Sequence, residues 1–231
     1  MNVKKRPDSR WGLHKKSNAE NLIASKNVLP NGKVISSSKN PLIQLLRTLL
    51  ESRGRKKHGS FIVEGPKLVL ETFKSKLSIE HILINNDFAN SVEAENIINL
   101  VPLVQTSLLN SKLFDKVSPT PTPQGILAIV KFPNYPEINQ HAFDLPSPLL
   151  VFDRIQDPSN VGSLIRVAEA TGCRDAFYIK GTSDPYSPKA IRASAGSTLR
   201  LRLHPIDSVK GLLVLLTKNN ISLVAMSPRN G

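Results

Sequence analysis

Val151-Phe152-Asp153-Arg154-Ile155-Gln156-Asp157-Pro158-Ser159-Asn160-Val161-Gly162-Ser163-Leu164-Ile165-Arg166-Val167-Ala168-Glu169-Ala170-Thr171-Gly172 is the most informative stretch of this 231-residue chain. The apolar run Leu149–Phe152 predicts a strand that delivers the chain to a polar loop at its carboxyl end, where open α/β sheets place ligands. Asp157 and Pro158 predict a helix start, and Gly172 a stop after Thr171. Val161, Leu164, Ile165 and Ala168 then form an apolar stripe facing the sheet. At about 100° per residue, Gly162, Arg166 and Glu169 fall together on the other side. Gly162, one turn before Arg166, leaves room for another backbone to approach.

Further along the chain the alternation continues. Strands are expected at Ala176–Ile179, Thr198–Leu203 and Ile221–Met226. Helices are expected from Ser187-Pro188 to about Gly196, and from the Ser208 cap to Lys218. Strands and helices alternating at these lengths predict a mainly parallel sheet covered on both faces. No closing helix follows Met226.

Before this unit, Asn40-Pro41 with Leu42, Leu45, Leu46, Leu49 and Leu50 predicts a capped amphipathic helix. It runs into Arg53-Gly54-Arg55-Lys56-Lys57, a basic stretch around a breaker. Strands are expected at Phe61–Val63, Ile79–Ile84, Val101–Val104 and Ile126–Val130, and helices from Gly65-Pro66 to Ser75 and over Ser91–Asn99. The fold class is therefore α/β, with a small domain over 40–131, a Pro-rich linker over 132–147 and a second domain over 148–231.

The 31 Lys and Arg against 18 Asp and Glu give +13, which favours a polyanionic partner, nucleic acid before membrane. Residues 1–40 carry nine basic and two acidic side chains, and each folded part is only +3. The basic segment 1–39 reads as a disordered tail, either a solvated lead-in or an arm that grasps RNA. The single Cys173 excludes an intramolecular disulfide and multi-cysteine metal sites. No apolar run reaches 18 residues and the first residues hold no apolar core of a secretory signal, so a cytoplasmic address is expected, with an organelle matrix as the alternative.

Several chemistries are excluded. There is no Gly-rich dinucleotide fingerprint, phosphate loop, H-E-x-x-H or nucleophile elbow, and His14, His58, His81, His141 and His204 are dispersed without metal-ligand spacing. No metal site is expected. Arg166 is open to two readings, a surface partner of Glu169 at i,i+3 or a guanidinium that grips phosphate or ribose. Asn160 could equally cap its helix. In Ser187–Ser197, Lys189 and Arg192 share a helix face. Thr198, Arg200 and Arg202 would share one face of the following strand, as an ordinary half-buried alternation or as a phosphate track.

The Asp157–Gly162 segment with Arg166, Ala168 and Gly172 resembles the first motif of the SpoU (TrmH-like) RNA ribose 2′-O-methyltransferases. Arg192-Ala193-Ser194-Ala195-Gly196-Ser197 resembles the turn those proteins carry shortly afterwards. Residues 40–71 and 114–130 resemble the small substrate-binding domain that often precedes it. The resemblance implies S-adenosylmethionine as cofactor, ribosomal or transfer RNA as substrate, a trefoil-knot catalytic domain and a homodimer. It makes Asn160 and Arg166 the substrate-side pair, with Glu169 in support. A guanidinium loses its proton only above about pH 12, so Arg166 is expected to orient the ribose and stabilise developing oxyanion charge rather than act as the base.

RNA contacts are expected from Arg53, Arg55, Lys56, Lys57, Lys189, Arg192, Arg200 and Arg202. The family's cofactor loops follow the fourth strand, and the sequence printed here carries neither. The trefoil-knot domain is therefore expected to be incomplete and cofactor-binding residues are not assigned. The alternative to an RNA methyltransferase is a non-catalytic RNA-binding protein derived from that family.

Overall fold

The computed structural model describes residues 34–101, 104–135 and 148–226. The first element is a two-residue strand, β1 (Val34–Ile35), in what the sequence presents as a disordered lead-in. Ile35 is buried against the core, and its pairing with a later strand holds this end of the segment. Residues 1–33 lie outside the described set.

Helix α1 (Pro41–Leu49) starts where Asn40 accepts a hydrogen bond from the Leu42 amide through its side chain. Its inner face, Ile43, Leu46 and Leu49, is fully buried. The basic stretch that follows is a helix, not a broken loop: α2 (Ser52–His58) ends at Gly59 with φ 63. Gly54 is required by packing, because a Cβ there would lie 1.8 Å from the Thr48 carbonyl oxygen.

Next come β2 (Ser60–Glu64), α3 (Pro66–Lys74), β3 (Ile79–Asn85), the short α4 (Asn86–Ala89) and α5 (Val92–Leu100). They are followed by β4 (Gln105–Leu109), α6 (Ser111–Val117) and β5 (Ile126–Lys131). The strand expected over Val101–Val104 is corrected. Val101 ends α5 with its amide bonded to Ile98, and the strand lies later, at Gln105–Leu109. The five strands run β1-β4-β3-β5-β2, with β1 and β3 parallel to β4 and β5 antiparallel to both β3 and β2. Leu83, Leu127 and Ile129 pack with the α1 face and with Phe114 and Val117 of α6.

The second sheet is β6 (Leu150–Phe152), β7 (Asp175–Ile179) and β8 (Arg202–Ile206), in that order and all parallel. Its helices are α7 (Pro158–Ala170), α8 (Pro188–Ala193) and α9 (Val209–Lys218). Leu212 and Leu216 of α9 close over Phe177 and Ile179. A strand over Thr198–Leu203 is not formed. Ser194 accepts hydrogen bonds from the Thr198 amide and hydroxyl, Ala195 and Gly196 take positive φ, and a 3-10 turn over Ser197–Leu199 delays the strand to Arg202. Residues 221–226 also form no strand, and Leu223, Val224 and Met226 are exposed.

The described residues, from 34 to 226, form one compact unit. Phe132 and Tyr135, at the start of the expected linker, are packed rather than free. Phe61, Phe132 and Tyr186 pack as a trio with centroids 5.0 to 5.7 Å apart, the two Phe rings stacked and Tyr186 tilted against both, and Tyr135 lies against the His204 ring. Burial raises the Tyr186 phenol well above its ordinary value. Residues 136–147, most of the expected linker, lie outside the described residues.

Candidate functional site

Parallel strands β6 and β7 deliver two loops to the same end of the sheet, and hydrogen bonds join these loops into one surface. The Thr182 hydroxyl donates to the Phe152 carbonyl at 3.1 Å and accepts from the Arg154 amide at 2.9 Å. The Ser183 amide donates to the Ile155 carbonyl at 2.8 Å, and the Ser183 hydroxyl to the Gln156 carbonyl. Gln156 Nε2 reaches the carbonyls of Arg154 and Gly181 at 2.9 and 3.0 Å. Arg154 takes φ 54 at the bend and forks onto the exposed Asp153 carboxylate.

Asp157 caps α7. Its Oδ1 accepts from the Ser159 amide at 2.8 Å and from Lys189 Nζ at 2.9 Å. Those two donors, the amide first, lower its carboxyl from the ordinary range. The cap role open to Asn160 is thereby filled. The Asn160 side chain is exposed and forms no hydrogen bond among the described residues, so its carboxamide is free for an external partner.

Gly162 admits α8. A Cβ at Gly162 would lie 2.3 Å from the Ala190 carbonyl oxygen and 2.7 Å from the Ala193 Cβ. The gap expected beside Arg166 is thus occupied by the backbone of α8, which brings the Ser187–Ser197 segment against the Asp157–Gly172 helix. Arg166 and Arg192 are exposed and make no ion pair among the described residues.

Glu169 does not pair with Arg166. Both its oxygens accept from Arg200, Oε2 at 2.8 Å, and Arg200 Nη1 also holds Glu71 of α3 at 2.9 Å. The Arg200 hydrogen bond lowers the Glu169 carboxyl. Arg202 donates to Asp175 at 2.5 Å, and His204 Nε2 lies 2.7 Å from the other Asp175 oxygen. Glu169, Arg200 and Arg202 border an open depression of about 560 Å³ that is also lined by Gly172, Cys173, Arg174 and Leu201. It sits at the amino ends of β7 and β8, the end of the sheet opposite Asn160.

The basic residues therefore separate into two sets. Arg53, Lys56, Lys57 and Arg192 are exposed and unpaired among the described residues, whereas Lys189, Arg200 and Arg202 hold carboxylates. Arg55 is a correction to the expected RNA contacts. It is 3% exposed, its Nη1 donates to the Leu49 and Leu50 carbonyls at 2.9 and 2.8 Å, and its Nε and Nη2 grip Asp184 at 2.8 and 2.7 Å. A phosphate cannot reach it. Asp184 itself carries no local sequence signal, since its partner lies 129 residues earlier. No group of three or more potential metal-ligating side chains occurs among the described residues.

Two family models match the chain in the order its sheets occur, an MRM3-like substrate-binding domain over residues 40–128 and the SpoU rRNA methylase family over residues 147–231. The chain belongs to the SpoU methylase family. It is 29% identical over 201 residues to an uncharacterised tRNA/rRNA methyltransferase of Synechocystis sp., covering 84% of this chain and 70% of the relative. It is 30% identical over 165 residues to the 23S rRNA (guanosine(2553)-2′-O)-methyltransferase of Bacillus subtilis, covering 71% of this chain and 62% of that protein. A solved RNA 2′-O ribose methyltransferase superposes with a TM-score of 0.68 at 26% identity, over 85% of this chain and 74% of the other.

SpoU methyltransferases use S-adenosylmethionine. Asn160 and Arg166 of this SpoU chain are both exposed on α7, Asn160 in the first turn after the 152–156 loop. Residues 221–226 run as irregular, largely exposed chain beyond α9, and no described residue is assigned to hold the cofactor.

Proposed function

We propose that this SpoU chain acts in S-adenosylmethionine-dependent methylation of a ribose 2′-hydroxyl in ribosomal or transfer RNA, and that its described residues supply the RNA side of that reaction. The observation that carries the reading is the pair of unengaged polar side chains, Asn160 and Arg166, on a helix whose carboxylates both have partners, Asp157 capping its start and Glu169 held by Arg200. S-adenosylmethionine, when bound, supplies the methyl group as an electrophile.

Arg166 would hold the target ribose and its phosphate and stabilise negative charge on the attacking oxygen. Asn160, with both donor and acceptor atoms, would orient the ribose hydroxyls. Glu169 would act indirectly, fixing the carboxyl end of α7 through Arg200. Arg53, Lys56, Lys57 and Arg192 would make phosphate contacts that set affinity and register rather than sequence. Homodimeric assembly and a cytoplasmic or organelle-matrix address belong to the same proposal. No described helix is long and apolar enough to cross a membrane.

The test is incubation of the protein with ribosomal and transfer RNA and radiolabelled S-adenosylmethionine, followed by alkaline hydrolysis. A methylated 2′-oxygen cannot attack the adjacent phosphate, so the expected label resides in an alkali-resistant dinucleotide. Label on a base would contradict the reading. RNA binding without any transfer would favour a non-catalytic RNA-binding role.

A further inference from the structure

We propose that Arg55 is a positioning residue that sets the paired site loops from the front sheet, acting through Asp184. The proposal rests on the reading of those loops as the site of methyl transfer. Helix α2 has two faces with different duties: Arg53, Lys56 and Lys57 face solvent, while Arg55 is turned inward. Its guanidinium joins three acceptor groups at once, the Leu49 and Leu50 carbonyls at the end of α1 and the Asp184 carboxylate.

Asp184 continues the connection. Its second oxygen accepts from the Tyr186 amide at 2.9 Å, and its carbonyl accepts from the Ser187 amide at 3.0 Å. Ser187 caps α8, the helix that Gly162 receives. On the other side, Thr182 and Ser183 hold residues 152–156, which lead directly into Asp157 and Asn160. A displacement of Asp184 would thus be felt both at the α7 start and at α8. The guanidinium fork is required, since a lysine ammonium offers its donors from a single point and cannot span the carbonyls and the carboxylate together.

Amide hydrogen exchange on the 231-residue chain, without RNA or cofactor, tests this. Arg55→Lys keeps the charge and removes the fork. The expected result is at least tenfold faster exchange at the Arg154, Ser183 and Tyr186 amides, with the amides of β3 and β5 unchanged. Asp184→Asn should give the same local pattern, and the double variant no more than either alone. Val69→Ala, which loosens α3 without touching Arg55, should leave the three loop amides as they are. If Arg55→Lys fails to fold, Asp184→Asn alone decides, because it leaves the guanidinium bonded to both carbonyls. Unchanged loop exchange, or equal acceleration in β3 and β5, would overturn the proposal. Absence of methyl transfer would overturn the proposed function and leave this result standing.

Discussion

The Cβ position of Gly162 falls 2.3 Å from the Ala190 carbonyl oxygen, so α7 and α8 meet there with no room for a side chain at position 162. Gly162→Ala should force the helices apart or bend one of them. Overpacking of this kind costs about 1–3 kcal/mol, read as a lower denaturant midpoint. A midpoint unchanged from the parent would show that α8 yields without strain.

Arg200 holds Glu169 of α7 and Glu71 of α3 together. The Glu169 carboxyl is lower in the folded chain than its ordinary value of 4.5. The folded state therefore binds fewer protons there than the unfolded state, and the stabilisation is fully present above about pH 5, then lost as pH falls through the folded value. Glu169→Gln should destabilise by no more than about 1 kcal/mol at pH 7, given partial exposure, and the difference from the parent should vanish at the acid end. A difference that persists once acid has protonated the Glu169 carboxyl of the folded parent would mean the bridge contributes through packing alone.

RNA affinity should fall as salt rises, because phosphate contacts release counterions. Lys56→Ala and Lys57→Ala should each reduce the slope of log affinity against log salt by roughly one. Arg55→Lys should leave that slope unchanged, since Arg55 faces Asp184 and not solvent. A slope change equal to that of Lys56→Ala would return Arg55 to the phosphate contacts.

Much of this site was legible because its signals are local. The Asp157-Pro158 start, the apolar positions of α7 and the small residue at 162 each constrain their own neighbourhood, and the structure agrees except at Leu164, which is half-buried where Val161, Ile165 and Ala168 are buried. The strand expected at Thr198–Leu203 failed because alternating Leu and Arg imitates a half-buried strand. The Ser194 hydroxyl, bonded to Thr198, winds that segment into a 3-10 turn instead. Arg55 looked like one more exposed cation among Arg53, Lys56 and Lys57. Only tertiary contact with Asp184, far along the chain, distinguishes it. Glu169 similarly had a plausible partner one turn away, and the longer-range Arg200 displaced it.

The most direct test of the account is the rate of 2′-O-methyl transfer with Arg166→Ala, measured beside RNA affinity in the same preparation. Arg166 is one exposed cation among several, so its loss should weaken RNA binding only slightly. In its proposed role as donor to the reacting oxygen, its loss should lower turnover by about 10²–10³, and Arg166→Lys should recover only part of that, since the ammonium lacks the fork. Near-normal turnover in Arg166→Ala would contradict the assignment and return Arg166 to the solvated surface of α7.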